Sequence, residues 1–185
     1  MMNYYETVLV LPEAALKTAY AHHQWLTQYL DRMGFEGDEY HFSSLTAVQL
    51  GHTTLRTLVP VSPTSQKIEL DASSINGVKI ITRICTRKVS RDRNHGTARY
   101  SKPVDSASYI EGMLLKNAGL SGRVQECIER RLTFGKRASS AEKVDVADVL
   151  FEGEVVDADL FAQAMANGVG KKRHFGCGYL ILIEG

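Results

Sequence analysis

In residues 78–183 the apolar pattern switches between a strand period of two and a helical period of about 3.6, in an order that leaves few ways to fold. Val78 to Val89 (VKIITRICTRKV) has the β-branched content of a strand, and Ser106 to Ala118 can form a helix. Arg123 to Gly135 carries signals of both kinds and is read as a strand. Lys143 to Val156 alternates apolar and acidic residues around Gly153, Ala158 to Asn167 is a short amphipathic helix, and Tyr179 to Ile183 is an apolar closing strand. The order is strand, helix, strand, strand, helix, strand. Each strand–helix–strand unit must cross over in the same hand, so this order builds an antiparallel four-stranded sheet with both helices on one face.

That arrangement is a ferredoxin-like (βαββαβ) domain. The first half repeats it in shortened form. Asn3 to Leu11 is a strand ended by Pro12. Leu16, Ala19, Tyr20, His23, Leu26 and Leu30 then recur at helical spacing, predicting one helix from Glu13 to Met33 with Gly34 as its stop. Tyr40 to Leu50 and Thr53 to Val61 form a hairpin about Gly51 and His52, and Lys67 to Asp71 supplies a short fourth strand with too few residues before it for a second helix. The chain is therefore expected to be α+β, two ferredoxin-like domains in tandem with the N-terminal one cut down. The polar stretch from Asp71 to Gly77 places the boundary, giving domains of residues 1–74 and 75–185.

With 185 residues, 44% of them hydrophobic, the chain can bury a core. Its longest apolar runs are short, and Asn3 to Leu11 alternates too much for a signal peptide, so a cytoplasmic location with no membrane partner is expected. Cys85, Cys127 and Cys177 lack the paired spacing of a zinc site and are odd in number, which fits reduced thiols. No two of the six histidines sit at ligand spacing beside a carboxylate, so no metal or other cofactor is expected. The net charge is only +1, but it is segregated: Arg83 to Arg137 holds 13 Lys or Arg against five Asp or Glu, and Lys171, Lys172 and Arg173 add a second basic cluster. One basic face on a near-neutral protein can attract a polyanion.

The most specific local feature is Asn167 to Tyr179 (NGVGKKRHFGCGY), which joins the last helix to the last strand. Its glycines permit positive φ and close approach of a partner, and exposed amides with Lys171, Lys172 and Arg173 favour phosphate. A Walker loop is excluded, because Gly170-Lys171 is followed by Lys172 and leads into a strand. A dinucleotide fingerprint is excluded, because its third glycine would fall on Arg173 and the segment follows a helix. The pattern Gly168-Val169-Gly170, basic residues, Phe175-Gly176-Cys177-Gly178 and an apolar strand resembles the glycine-rich loop of the CRISPR repeat-cleaving endoribonucleases, particularly the CasE type. Val149 to Asp157 (VLFEGEVVD), followed by Phe161, resembles the strand and helix that lead into that loop. The likeness is good over roughly the last 40 residues and holds in outline elsewhere.

Tyr20-Ala21-His22-His23-Gln24 in the first helix resembles the Tyr-x-x-His-Gln segment of the same enzymes. Residues three apart return to one helical face after about 300° of rotation, so Tyr20 and His23 are neighbours while His22 points elsewhere. The resemblance implies metal-independent attack of a ribose 2′-hydroxyl on the adjacent phosphate, leaving a 2′,3′-cyclic phosphate. His23 would move the proton, Tyr20 would hydrogen-bond the hydroxyl or a phosphate oxygen, and a Lys or Arg would stabilise the phosphorane. The expected partners are a CRISPR repeat hairpin, as precursor and mature crRNA, and other effector subunits. Arg83 to Lys102, with seven Lys or Arg and one acid, suits the phosphate-lined groove of the stem, with Arg87, Lys88, Arg91, Arg93 and Arg99 as contacts. Gly168, Gly170, Lys171, Lys172, Arg173 and His174 are the candidate RNA contacts of the glycine-rich loop. Two alternatives remain open from the residues: a non-catalytic crRNA-binding subunit of the same fold, and a ferredoxin-like protein for a small molecule.

Overall fold

The structure, a computed structural model, describes the backbone of residues 1–35, 40–43, 45, 51–91, 98–134 and 142–184, and within these the side chains of all but 88–91, 98–100, 134, 142 and 184. The first part of the chain runs β1 (Met2–Val10), α1 (Glu13–Leu16), α2 (Ala19–Arg32), β2 (Tyr40–Phe42), β3 (His52–Thr57) and β4 (Gln66–Leu70). After a short turn of 3-10 helix come β5 (Gly77–Cys85), β6 (Lys88–Arg91), β7 (Ala98–Ser101), α3 (Ser106–Ala118), β8 (Leu120–Phe134), β9 (Glu142–Val155), α4 (Ala158–Asn167) and β10 (Ile181–Glu184).

Two antiparallel four-stranded sheets result, ordered β2-β3-β1-β4 and β10-β5-β9-β8. Numbered within its own half, each sheet reads fourth, first, third, second, which is the ferredoxin-like order. The second unit is complete. Its helices α3 and α4 bury Ile110, Leu114, Phe161 and Met165 against Val78, Ile80 and Phe151 of the sheet. In the first unit α2 sets Leu26 and Leu30 on Leu9, Phe42 and Leu55, and no helix separates β3 from β4. The opposite face of this sheet does not meet water throughout: Tyr4 joins the core of the second unit, and α4 packs on β1 and β3.

Several boundaries differ from the sequence reading. The single helix expected from Glu13 to Met33 is broken at Thr18, whose extended backbone restarts the helix and whose hydroxyl accepts from the Ala21 amide at 3.0 Å. The apolar spacing hides this break because Leu11, Ala15, Leu16 and Trp25 form a small cluster that continues the stripe. The strand read as Val78 to Val89 ends at Cys85, and β6 then pairs with β7 as a separate two-stranded ribbon. The basic stretch is thus hairpin on both sides of residues 92–97, where Asn94, His95 and Gly96 lie outside the described residues. The strand expected from Thr53 to Val61 stops at Thr57, the one expected from Tyr40 to Leu50 ends at Phe42, with residues 44 and 46–50 outside the described residues, and β10 begins at Ile181. Tyr179 and Leu180, read as strand, are held instead by contacts described below. Among the described residues no helix is long and apolar enough to cross a membrane.

Candidate active site at the glycine-rich turn

Neighbouring histidines on α2 face different surroundings. His22 is 4% exposed, with its ring 4.4 Å from that of Phe42. Burial pushes its pKa down to about 4, with the adjacent His23 adding to the effect, so its ring is neutral near pH 7. His23 is half-buried and faces the glycine-rich segment. Its ring centroid is 4.8 Å from that of Phe175 and 6.5 Å from that of His174. On the other side its Nδ1 lies 3.3 Å from the Tyr40 hydroxyl, which is itself 3.3 Å from Thr27 Oγ1, while Thr27 donates to the His23 carbonyl at 3.0 Å. Burial lowers the His23 pKa and the charge of His174 lowers it further, partly opposed by a backbone hydrogen bond at His174. A neutral imidazole is the form a general base requires. Tyr20, the other candidate on this helix, stands one turn earlier and is partly exposed.

The opposing segment leaves α4 at Gly168 and makes a tight turn, Arg173 to Phe175, before β10. This turn packs between α2 and β2, which is how residues more than 140 positions apart meet. Glycine is required here by contact as well as by dihedral angle. At Gly178, with φ 78°, an added Cβ would lie 1.8 Å from the Val169 carbonyl oxygen. Lys172 adopts φ 61° without being glycine, a strained conformation in the middle of the basic run. The amides of Gly168, Val169, Phe175, Gly176, Cys177 and Gly178 donate to backbone carbonyls. These six amides are therefore not available to a phosphate, contrary to the expectation from the sequence. The cations of the basic run spread outward: Lys171 Nζ reaches the Arg87 carbonyl at 3.5 Å, Arg173 Nη1 donates to the Asn167 carbonyl at 2.7 Å, and Lys172 Nζ lies 5.6 Å over the Phe175 ring.

A buried cation holds the base of this loop. The Arg56 side chain, 5% exposed, donates from Nε to Glu6 at 2.6 Å and from Nη1 to the carbonyls of Met165 and Leu180 at 2.9 and 3.0 Å. Those carbonyls stand just before and just after the glycine-rich segment. The guanidinium carbon also lies 4.0 Å from the Tyr179 ring and 5.1 Å from that of Tyr4, and the Tyr179 hydroxyl donates to Glu6 at 3.1 Å. Beside it His41 is buried, its ring 5.2 Å from Tyr179, and burial with the nearby charges of Arg56 and Arg173 depresses its pKa well below the usual histidine range.

Of the candidates, the structure sets the ring of His174 near His23, with Lys172 over the adjoining Phe175 ring; Lys171 and Arg173 turn to the carbonyls of Arg87 and Asn167, Gly168 lies beside His41, and Tyr20 shares the helix of His23. The strands of Lys88, Arg91 and Arg99 form the β6–β7 ribbon, but their side chains, and Arg93 altogether, lie outside the described residues. Tyr40, Thr27, Phe175 and Arg56 were not singled out from the sequence. Tyr40 carried no signal, because its place beside His23 follows from strand pairing and not from spacing. Among the described residues no three of His, Cys, Asp and Glu are grouped to hold a metal ion.

Residues 89–184, just over half of the sequence, match a family described as CRISPR associated protein. The chain belongs to this family. Its fold is that of three solved CRISPR proteins. Thermus thermophilus Cse3, bound to an RNA representing a pre-cleavage complex, is 19% identical at a TM-score of 0.70, with 99% of this chain and 100% of that one covered. The CRISPR-associated protein Cas6e of Escherichia coli is 18% identical at 0.65, with 98% of each covered. A chain of a CRISPR RNA-guided surveillance complex in a pre-nicking state is 13% identical at 0.64, with 96% and 98% covered. Among curated proteins none matches the sequence.

Proposed function

We propose that this protein is an endoribonuclease that grips the hairpin of a CRISPR repeat, cleaves precursor crRNA and keeps the product as a subunit of an effector complex. The observation that carries the reading is the meeting of a neutral imidazole, His23, with the basic turn that ends the glycine-rich loop. Membership of the CRISPR-associated family supports it, as does a fold shared with RNA-bound Cse3 and with a chain of a surveillance complex.

The chemistry runs as follows in this reading. The 2′-hydroxyl beside the scissile phosphate gives its proton to His23, its oxygen attacks phosphorus, and the bond from phosphorus to the 5′-oxygen breaks. The products are a 2′,3′-cyclic phosphate and a 5′-hydroxyl, whose oxygen takes up one proton. Tyr40 on Nδ1 orients the ring, Tyr20 hydrogen-bonds the attacking hydroxyl or a phosphate oxygen, and Lys172, which lies over the Phe175 ring, neutralises the phosphorane. Arg87, Lys88, Arg91, Arg93 and Arg99 follow the stem phosphates, so binding weakens steeply as salt rises. No metal takes part. The test is incubation with the repeat RNA of its own locus in excess chelator, followed by mapping of both new ends. A single cut leaving a cyclic phosphate is expected. Tight binding without a cut, by a protein retaining His23, would favour a non-catalytic crRNA-binding subunit.

A further inference from the structure

Cleavage by a 2′-hydroxyl moves two protons. His23 takes the first. The departing 5′-oxygen needs the second, because an alkoxide is strongly basic and leaves poorly unless it is protonated as its bond to phosphorus breaks. The attacking and leaving oxygens stand roughly in line on opposite sides of phosphorus. A second proton carrier must therefore face the first across one phosphate, without touching it.

His174 stands in such a position. Its ring centroid is 6.5 Å from that of His23 with the planes inclined by 50°, too far for the two imidazoles to hydrogen-bond each other. Phe175 is the third corner, its ring 4.8 Å from that of His23 and 6.2 Å from that of His174. The neighbouring residues of the basic run are engaged elsewhere: Lys171 reaches the Arg87 carbonyl, Arg173 the Asn167 carbonyl, and Lys172 keeps its Nζ over the Phe175 ring. Of the side-chain types in this run, only an imidazole both holds and yields a proton readily near neutral pH.

Backbone geometry sets this position. Lys172, at φ 61°, turns the chain, and the amides of Phe175 and Gly176 donate to the carbonyls of Lys172 and Arg173 at 2.9 Å each, which closes a tight turn around His174. Strained backbone of this kind clusters at active sites. The turn packs on α2, and a backbone hydrogen bond at His174 reaches the His23 ring. One short segment therefore carries the second imidazole and also holds the first.

Their surroundings divide the roles. His23 is half-buried, and burial favours its neutral, proton-accepting form, whereas His174 is exposed, where water solvates a charged ring. Two like groups in unlike surroundings are how acid and base assignments separate. We propose that His174 is the general acid of the cleavage, its imidazolium giving a proton to the 5′-oxygen as the bond from phosphorus to that oxygen breaks. The two rings finish the step with protonation states exchanged, and water restores both. This inference rests on the proposed endoribonuclease function and moves His174 from the phosphate contacts into the reaction itself.

A leaving group that needs no proton isolates the role. The repeat RNA is compared with the same RNA in which sulfur replaces the scissile 5′-oxygen, since a thiol is far more acidic than an alcohol and departs as the thiolate. Both are cleaved in single turnover, in excess chelator, by the unaltered protein, by His174→Ala and by His23→Ala. On the ordinary repeat His174→Ala should be slower by about 10²-fold, with hairpin affinity retained. On the sulfur-linked RNA it should cleave nearly as fast as the unaltered protein. His23→Ala should stay slow on both, because sulfur does not replace the base. Equal slowing of His174→Ala on the two linkages overturns the proposal, as does an undiminished rate on the ordinary repeat. If the unaltered protein cuts neither RNA, the endoribonuclease reading itself falls and the general acid with it.

Discussion

The two halves of this molecule share a strand order but not a way of being stable. The second sheet is covered by its own helices, α3 and α4, whose Ile110, Leu114, Phe161 and Met165 are sealed against Ile80 and Phe151. The first sheet has only α2 on one face and borrows α4 for part of the other. The half that carries the candidate proton-transfer group is therefore the dependent one, while the half that carries most of the positive charge is self-sufficient. Such a division lets the second half fix where α2 stands, so that His23 is aligned by the same glycine-rich loop to which the proposed function assigns the RNA contacts.

The severest challenge to this contrast is to separate the halves. Residues 75–185 alone should unfold cooperatively and bind repeat RNA, whereas residues 1–74 alone should show no cooperative transition by circular dichroism. A folded fragment 1–74 would end the argument for dependence. Next in size, His23→Ala should reduce single-turnover cleavage about 10²- to 10⁴-fold with hairpin affinity nearly unchanged, placing catalysis and binding in different halves. Equal loss of both would remove its assigned role.

Arg56→Leu attacks the joint itself. It leaves Glu6 and the carbonyls of Met165 and Leu180 without their shared donor, and removing one member of a buried pair costs about 3–5 kcal/mol. A urea titration should show that loss. Acid should act at the same level or slightly below. Unfolded His22 takes up a proton near its ordinary pKa, folded His22 only near about 4, so the unfolded state binds more protons between these values and stability falls as pH falls. The loss should reach about 3 kcal/mol, at about 1.4 kcal/mol per pH unit, and His22→Phe should remove much of it. Tyr40→Phe is the mildest change: kcat should drop about fivefold with KM unchanged and with the acid limb of the pH–rate profile displaced, because only one hydrogen bond to the imidazole is lost. An unchanged profile would mean that Tyr40 merely packs.

Much of the architecture could be read from local pattern. The β-branched runs, the Ser106 to Ala118 helix and the capped Ala158 to Asn167 helix stand where their periodicity places them, because each buries one face whatever lies opposite. Boundaries set by pairing were less legible. Tyr179 reads as strand, yet its ring covers Arg56 and its hydroxyl reaches Glu6, a contact no periodicity encodes. At the candidate site, Tyr20 and His23 could be singled out because helical spacing and a family resemblance both act within a few residues, and of the two it is His23 whose ring meets Phe175. Tyr40 could not, since β2 brings it to His23 from across the sheet.

By itself the sequence determined the order of elements, the segregation of charge and the turn chemistry of Gly168 to Gly178, all of which are settled between near neighbours in the chain. Tertiary structure alone decided that Arg56 bonds carbonyls 109 and 124 residues away and that the Phe175 ring lies against His23. The reason is that a residue's hydrophobicity specifies that it will be covered, while the identity of what covers it depends on how two separately patterned sheets dock.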